Sequence, residues 1–150
     1  MSETEQIDLG KLAKEIVASR LKDIADTAPV AAEIAHKTIV AGVHASRATG
    51  KSAQRAVQEV CRGTLYGLLL IDKDLNASAM AILDRLPGTA QDIKMDPQEL
   101  LTWALEGMSK VSTMMNPGAL WKLREQINEK FMGVGELFDK MCEKAREEKK

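Results

Sequence analysis

The stretch ASRATGKS, residues 45–52, fits the relaxed pattern of a phosphate-binding loop: Ala or Gly, four residues, then Gly-Lys-Ser/Thr. In such a loop the backbone amides cradle the phosphates, the lysine (Lys51) reaches them, and the hydroxyl (Ser52) binds magnesium. The loop joins a strand to a helix, and residues 38–44 and 68–72 contain apolar runs that would suit two strands. A nucleotide-using enzyme is therefore one hypothesis for this chain.

Three features favour a helix at this stretch instead. The relaxed pattern arises by chance in roughly one chain per hundred at average residue usage. A parallel sheet needs several strands joined by crossovers, whereas residues 1–37 and 73–150 show only helical patterns. Small residues also keep a helical spacing through the motif. We therefore interpret residues 46–51 as helical, with their amides engaged in backbone hydrogen bonds, and expect no bound nucleotide.

These small residues form a seam along one helical face. A face of this kind lets two helices approach at the lower end of normal interaxial distances, within the chain or between subunits. Glycine costs about 1 kcal/mol relative to alanine inside a helix, so we expect a bend or break near Gly50 or near residues 63–67. The packing seam comprises Ala41, Ala45, Ala48, Ser52 and Ala56, and Gly63 and Gly67 extend it.

Basic residues are concentrated in the same part of the chain. Residues 34–67 contain five Lys or Arg and one acid, Glu59, although the whole chain has a formal net charge of −1. A helix would place most of them on one face, a candidate contact for an anionic partner such as a lipid surface. We favour the alternative, a face that is solvated or paired with acidic residues. No aromatic residues interleave with it, so we expect no specific nucleic-acid binding. The face comprises Lys37, His44, Arg47, Lys51, Arg55 and Arg62.

The remaining polar residues do not assemble a catalytic or metal-binding pattern. His36 and His44 lie eight residues apart without further ligands, so we expect no metal site. Asp72 and Asp74 are interpreted as closing one helix and capping the next, because their side chains would diverge on a helix. No nucleophile is accompanied by a base and an orienting group. The sequence therefore favours a non-enzymatic protein without a cofactor.

Length and composition indicate a single cytoplasmic domain over residues 1–150. The chain is 45% hydrophobic and 29% charged, which is ordinary for a globular protein. It begins with a polar, acidic segment rather than a signal peptide, and its longest strongly apolar run, residues 68–71, is too short to span a membrane. Cys61 and Cys142 match no metal or redox spacing, so we expect two reduced thiols.

Apolar spacing predicts an all-α fold, a bundle of about five to six helices. Residues 7–86 form an Ala/Gly-rich helical part, in which the first helix would run to about Ala28 and Pro29 would begin or kink the next. Residues 30–72 would form either one long bent helix or two. We expect Pro87 and the following glycine to end this part.

A linker at residues 87–96 would lead into a helical hairpin over residues 97–148. Pro97 and Pro117 would each occupy a first helical position, after residues suited to capping a helix. Methionine and tryptophan side chains in this hairpin could form an adaptable binding surface or, as their helical spacing favours, pack in the core. They are Met108, Met114, Met115, Met132 and Met141 with Trp103 and Trp121.

The Ala-rich, aromatic-poor helical pattern of residues 7–86 resembles phasins, which are helical proteins that coat polyester storage granules. The resemblance lies in composition and length, and it implies an amphipathic coat on an apolar or anionic surface. Our first hypothesis is a helical interaction or structural protein that acts through protein–protein contacts as a homo-oligomer. The phasin-like coat is the second hypothesis, and the nucleotide-using enzyme is the third.

Overall fold

Residues 8–46 and 50–149, which the computed structural model describes, form seven α-helices, one short 3-10 helix and no strand. The all-α prediction is confirmed. There are more helices than the five to six expected, partly because the apolar pattern of residues 120–145 is split near Gly133, whose φ is 85°. The helices are α1 (Leu9–Arg20), α2 (Thr27–Ser46), α3 (Lys51–Leu70), α4 (Leu75–Ile93), α5 (Pro97–Ser109), α6 (Pro117–Lys130) and α7 (Val134–Lys149), with the 3-10 helix Ser112–Met114 before α6.

The starts of α5 and α6 are fixed by local chemistry. The carboxylate of Asp96 accepts the backbone N–H two residues further on at 2.9 Å, and the side-chain oxygen of Asn116 does the same at 2.7 Å. Pro97 and Pro117 follow these caps at the beginning of each helix, where no amide hydrogen is needed. Both predicted helix starts are confirmed.

The first helix ends earlier than its apolar spacing predicts. α1 stops at Arg20, and the chain turns before α2, which begins two residues before Pro29. Leu21 is fully buried at this turn. The ammonium group of Lys73 donates to the backbone carbonyl of Ile24 at 3.0 Å, so a distant part of the chain supplies a hydrogen bond to the turn.

A break separates α2 from α3 and confirms the expectation at Gly50. Gly50 is the N-cap of α3 and has a φ of 54°, a left-handed conformation that glycine adopts without steric cost. Residues 30–72 therefore form two helices, and our interpretation of residues 46–51 as helical is wrong at Gly50. Residues 47–49 lie outside the described part of the chain.

The predicted stop at Pro87 is wrong, because α4 continues to Ile93. Only three residues separate α4 from α5, in place of the predicted linker at residues 87–96. Pro87 is exposed, whereas Leu86, Ala90 and Ile93 are buried on a different side of the helix. Burial of this apolar face on both sides of the proline outweighs the lost backbone hydrogen bond.

Helices that are next but one in the chain make the most extensive contacts, namely α1 with α3, α2 with α4, and α3 with α5. α1 and α3 run in the same direction with their backbones in close contact. A β-carbon added to Gly63 would overlap the carbonyl oxygen of Gly10, and one added to Gly67 would lie 2.8 Å from that of Lys14. Glycine at these positions therefore sets the separation of the two helices.

α3 and α5 approach each other in a similar way. A β-carbon added to Gly107 would overlap the backbone of Gln58. Beside this contact, the carboxylate of Glu106 accepts hydrogen bonds from the side-chain amides of Gln58 at 2.6 Å and Gln54 at 3.2 Å. The backbone contact and these polar bonds together fix α5 on α3.

The C-terminal hairpin consists of α6 and α7 alone. Arg124 of α6 pairs with Asp139 of α7 at 3.3 Å, and the backbone N–H of Gly135 donates to Asn128 at 3.2 Å, which shows an antiparallel arrangement. α5 makes its most extensive contact with α3 and also packs against α7. All seven helices contribute to one cluster of buried apolar side chains, represented by Ala13, Ile39, Leu65, Ile82, Leu105, Ile127 and Phe138.

Candidate functional site

The predicted anion-contacting residues do not share one helix face. Lys37 and His44 are exposed on α2, whereas Lys51 and Arg55 are exposed on α3. The two helices are separate, and each turns its buried side chains towards the core, so the basic residues are divided between two outer surfaces. Arg47 lies outside the residues that the structure describes.

On α3 the basic residues form one outward stripe. Lys51, Arg55 and Arg62 are spaced by four and seven residues, on the opposite side of the helix from its buried valines. Arg62 pairs with Glu59 at 2.8 Å, and both side chains are about one-third exposed, so the pair contributes little to stability. Lys51 and Arg55 form no ion pair with any other described residue. Their charges remain available at the N-terminal end of α3.

The predicted packing seam does not form one continuous contact within the chain. Ala41, Ala45 and Ser52 are exposed, whereas Ala56 is buried. Ala48 lies outside the described residues. The break between α2 and α3 carries the two halves of the seam onto different helices, which sequence spacing alone does not reveal. A contact between subunits through the exposed alanines stays a prediction.

The close helix contact instead uses the C-terminal half of the seam. Gly63 and Gly67 of α3 lie against α1, and their partner, Gly10, was not among the residues we singled out from the sequence. Gly10 shares the buried face of α1 with Ala13 and Val17. That helical spacing of a glycine with two small or β-branched residues is the signal that could have revealed it.

The surroundings of the phosphate-loop motif are helical on both sides. Residues 38–44 lie within α2, and residues 68–70 are the last turn of α3. The strand that should precede a phosphate loop is therefore a helix. Gly50 is the N-cap of α3, and Lys51 and Ser52 are its first two residues. All three are exposed.

Asp72 and Asp74 have the structural roles expected of them. Asp72 has a φ of 58°, and its N–H donates to the carbonyl of Leu69 at 3.1 Å, which closes α3. Asp74 caps α4 by accepting the N–H of Asn76 at 2.9 Å. The backbone of Asp72 thus closes α3, and the carboxylate of Asp74 caps the start of α4.

A cleft of about 690 Å³ opens beside this turn, at the N-terminal ends of α4 and α6. The side-chain amide of Asn76 donates to the carbonyl of Ala119 at 2.9 Å and holds the two helix ends together. The cleft combines apolar and charged groups of both signs, and it joins segments more than 40 residues apart, so sequence spacing did not reveal it. Its lining includes Leu69, Asp72, Lys73, Met115, Asn116 and Lys122.

His36 forms a buried polar link between α2 and α4. Its Nδ1 lies 2.7 Å from Thr89 Oγ1, and its Nε2 lies 3.2 Å from a carboxylate oxygen of Asp92. The Thr89 hydroxyl can donate to Nδ1 or, at 3.2 Å, to the carbonyl of Arg85. The imidazole thus keeps hydrogen-bond partners on both nitrogens whether it is neutral or protonated.

This hydroxyl–imidazole–carboxylate order has the form of a nucleophile, a base and an orienting group. Thr89, however, is only 1% exposed, and the hydroxyl lies out of reach of a substrate. We therefore assign His36, Thr89 and Asp92 to helix pairing. In the part of the chain that the structure describes, no group of three or more His, Cys, Asp or Glu side chains could hold a metal ion.

Both cysteines are free thiols, as the sequence predicts, and both are buried. Burial raises the pKa of Cys61 from 9.0 to about 12. Burial also raises the pKa of Cys142, against a smaller lowering effect of its hydrogen bond with Ser112. A thiol with a raised pKa carries little thiolate at neutral pH and is a poor nucleophile.

The start of α6 exposes an apolar surface, which we call the α6 shoulder. Trp121 is 62% exposed and Met114 is 44% exposed, and Pro117 and Gly118 lie between them in sequence and are also exposed. Trp121 follows Pro117 by four residues and Gly118 by three, so all three share one side of α6. The core interpretation is confirmed for Met108, which is buried, and is wrong for Trp121, Met114 and Met132, which are exposed.

No protein-family model, curated protein or solved structure matches this chain. Over residues 8–46 and 50–149, none of the helices is both long enough and apolar enough to cross a membrane. Three exposed features of the described residues are candidate contact sites for a partner: the α6 shoulder, the cleft beside α4 and the outward basic residues of α3.

Proposed function

We propose that this protein is a non-enzymatic helical interaction protein that binds other protein chains through the α6 shoulder, and that one of those chains is a second copy of itself. The exposure of Trp121 supports this proposal most directly. Fully burying an aromatic side chain is worth about 2–3 kcal/mol, and α6 leaves most of this one in water. Tryptophan is also enriched among the residues that dominate binding at protein interfaces.

The neighbours of Trp121 suit the same role. Met114 is unbranched and polarisable, so it can adapt its shape to a partner surface. Lys122 and Glu125 lie at the edge of the shoulder and supply the charged rim that surrounds an interface core. Trp103 is less exposed and packs against the core cluster, which makes it a natural internal comparison for Trp121.

Light scattering after size exclusion would test the assembly. We expect the wild-type protein to have a mass above that of one chain, and Trp121→Lys to shift it towards the monomer. Trp121→Phe, which keeps an aromatic ring, should retain most of the assembly. A wild-type mass of one chain at every concentration, or an unchanged mass in Trp121→Lys, would contradict self-association through the shoulder.

The proposal includes a cytoplasmic location. Cys61 and Cys142 are both free, and unpaired buried thiols are typical of reducing compartments.

The second candidate is a phasin-like coat, and the apolar side chains exposed on several helices and on the turn before α7 favour it. They include Leu12, Leu70, Met132 and Leu137. A coat should adsorb to apolar droplets at high salt and remain helical there. The interaction protein should not, because its larger apolar side chains, such as Ile39 and Leu65, are already committed to the core. Salt-resistant adsorption with helicity retained would therefore favour the coat.

A further inference from the structure

α1 and α3 together present a surface that neither helix forms alone. The contact between Gly10 and Gly63 brings the helices side by side, and they run in the same direction. Lys14 of α1 extends across this contact, with its Nζ 5.4 Å from the centre of the Tyr66 ring on α3. We define the α1–α3 face as Lys11 and Lys14 of α1 with Lys51, Arg55, Arg62, Tyr66 and Leu70 of α3.

This face is positive on a chain that is slightly negative overall. α1 and α3 each carry three basic residues and one acid, whereas the whole chain has a formal net charge of −1. Among the described residues, Lys11, Lys14, Lys51 and Arg55 form no ion pair, and Glu59 is already paired with Arg62. The basic side chains are therefore free to meet an anionic partner.

The C-terminal end of the face is amphipathic rather than charged. Leu70 is 56% exposed, and Tyr66, one turn earlier, is partly exposed beside Lys14. Tyrosine and lysine are the side chains that lie at the boundary between lipid headgroups and acyl chains, with an apolar body and a polar tip.

We propose that the α1–α3 face is a docking surface for an anionic lipid bilayer. Two parallel helices in contact form a broad, shallow surface. It is about 20 Å wide, which is the width of two helices, and about 30 Å long, which is the length of α3. That shape fits a planar bilayer, and it is too wide to enter the major groove of DNA, which is about 12 Å wide. This inference goes beyond the proposed protein–protein function, because it uses a different surface.

Vesicle flotation would test the proposal with the full-length protein. We expect it to bind vesicles that contain phosphatidylserine, to bind phosphatidylcholine vesicles at least tenfold more weakly, and to dissociate in roughly 0.5 M salt, where charges are screened within a few ångströms. The triple variant Lys11→Glu, Lys51→Glu, Arg55→Glu reverses three exposed charges. It should reduce partitioning roughly a hundredfold or more, since each basic residue near the surface contributes about a factor of five.

A charge-matched variant makes this test specific. Lys37→Glu, Lys140→Glu, Lys144→Glu changes the net charge by the same amount at exposed positions outside the face, and it should retain most of the binding. Circular dichroism would show that both variants remain helical. Equal loss in both variants, equal binding to neutral vesicles, or no binding by the wild type would overturn the proposal. Tighter binding to duplex DNA than to the anionic vesicles at the same salt concentration would overturn it as well. Trp121→Lys should bind vesicles normally, which separates this surface from the α6 shoulder.

Discussion

Gly63 on α3 faces the carbonyl oxygen of Gly10 on α1 so closely that no β-carbon fits between them. The obstacle is backbone, which cannot rotate away as a side chain can. We expect Gly63→Ala to force the helices apart and to lower the free energy of unfolding by about 3 kcal/mol, at the upper end of the usual cost of overpacking. Chemical denaturation followed by circular dichroism would measure the change.

Gly88→Ala is the matched control. An added β-carbon at Gly88 would meet only the flexible end of the Arg85 side chain. Because alanine favours a helix over glycine by about 1 kcal/mol, Gly88→Ala should leave stability unchanged or raise it slightly. If Gly63→Ala is as well tolerated as this control, α1 and α3 do not make the close contact described.

Thr89→Val should weaken the pairing of α2 with α4. Valine has a similar size but removes the hydroxyl 2.7 Å from Nδ1 of His36, leaving a buried polar atom without its partner. We expect the free energy of unfolding to fall by about 1–3 kcal/mol. Thr102→Val, which removes a more exposed hydroxyl bonded within its own helix, should change it by less than about 0.5 kcal/mol. Equal effects of the two substitutions would show that the hydrogen bond between His36 and Thr89 does not contribute to the free energy of unfolding.

The buried thiols should be unreactive in the folded protein. A disulfide reagent at pH 8 should label Cys61 and Cys142 far more slowly than in urea, because both are buried and the thiolate is disfavoured. Fast labelling of one cysteine without denaturant would show that its helix opens readily.

The raised pKa of Cys61 also predicts a pH dependence. An unfolded thiol ionises near 9.0, whereas this one does so near pH 12. The stability contributed by keeping it neutral is thus fully present below pH 9 and is lost as the pH rises towards 12, by about 1 kcal/mol per pH unit. Cys61→Ala should lose less stability than the wild type between pH 9 and pH 11. Parallel curves for the two proteins would contradict this assignment.

Magnesium with ATP or GTP should produce no binding heat in calorimetry. Residues 38–44 are helical, so the strand that positions a phosphate loop is missing from this part of the chain. Micromolar binding that disappears in Lys51→Ala would show that the motif at residues 45–52 holds phosphate in a different structural setting.

Local chemistry in the sequence predicted helix ends better than it predicted helix contacts. Asp96 and Asn116 cap the helices that follow them because the capping bond spans only two or three residues. The helix end predicted at Pro87 was wrong because the sequence shows the cost of a proline inside a helix but not the burial of Leu86 and Ile93, which depends on other helices. The helical periodicity was correct, but it does not show which helices pack against one another.

For the candidate sites, too, sequence spacing predicted relationships within one helix better than contacts between helices. Sequence spacing placed Lys51, Arg55 and Arg62 on one face with Lys37 and His44, and the structure keeps only the first three together, on α3. Spacing could not show that Lys11 and Lys14 lie beside that stripe, because this depends on contacts between two helices, such as those of Gly10 with Gly63 and of Lys14 with Tyr66. Sequence spacing favoured a core position for Trp121, which is wrong, since one helical pattern suits either a core or a surface.

The pairing of alternate helices has a consequence for how the chain acquires its fold during synthesis. α1 leaves the ribosome before its main partner, α3, has been made, and α2 likewise precedes α4. Each pair must close a loop that contains the intervening helix, and such non-local contacts slow folding relative to a bundle whose neighbouring helices pair. A nascent chain that stops before α3 would leave the backbone surface at Gly10 uncovered. Folding of the N-terminal half should therefore begin only once α3 has emerged, and it should not advance one helix at a time.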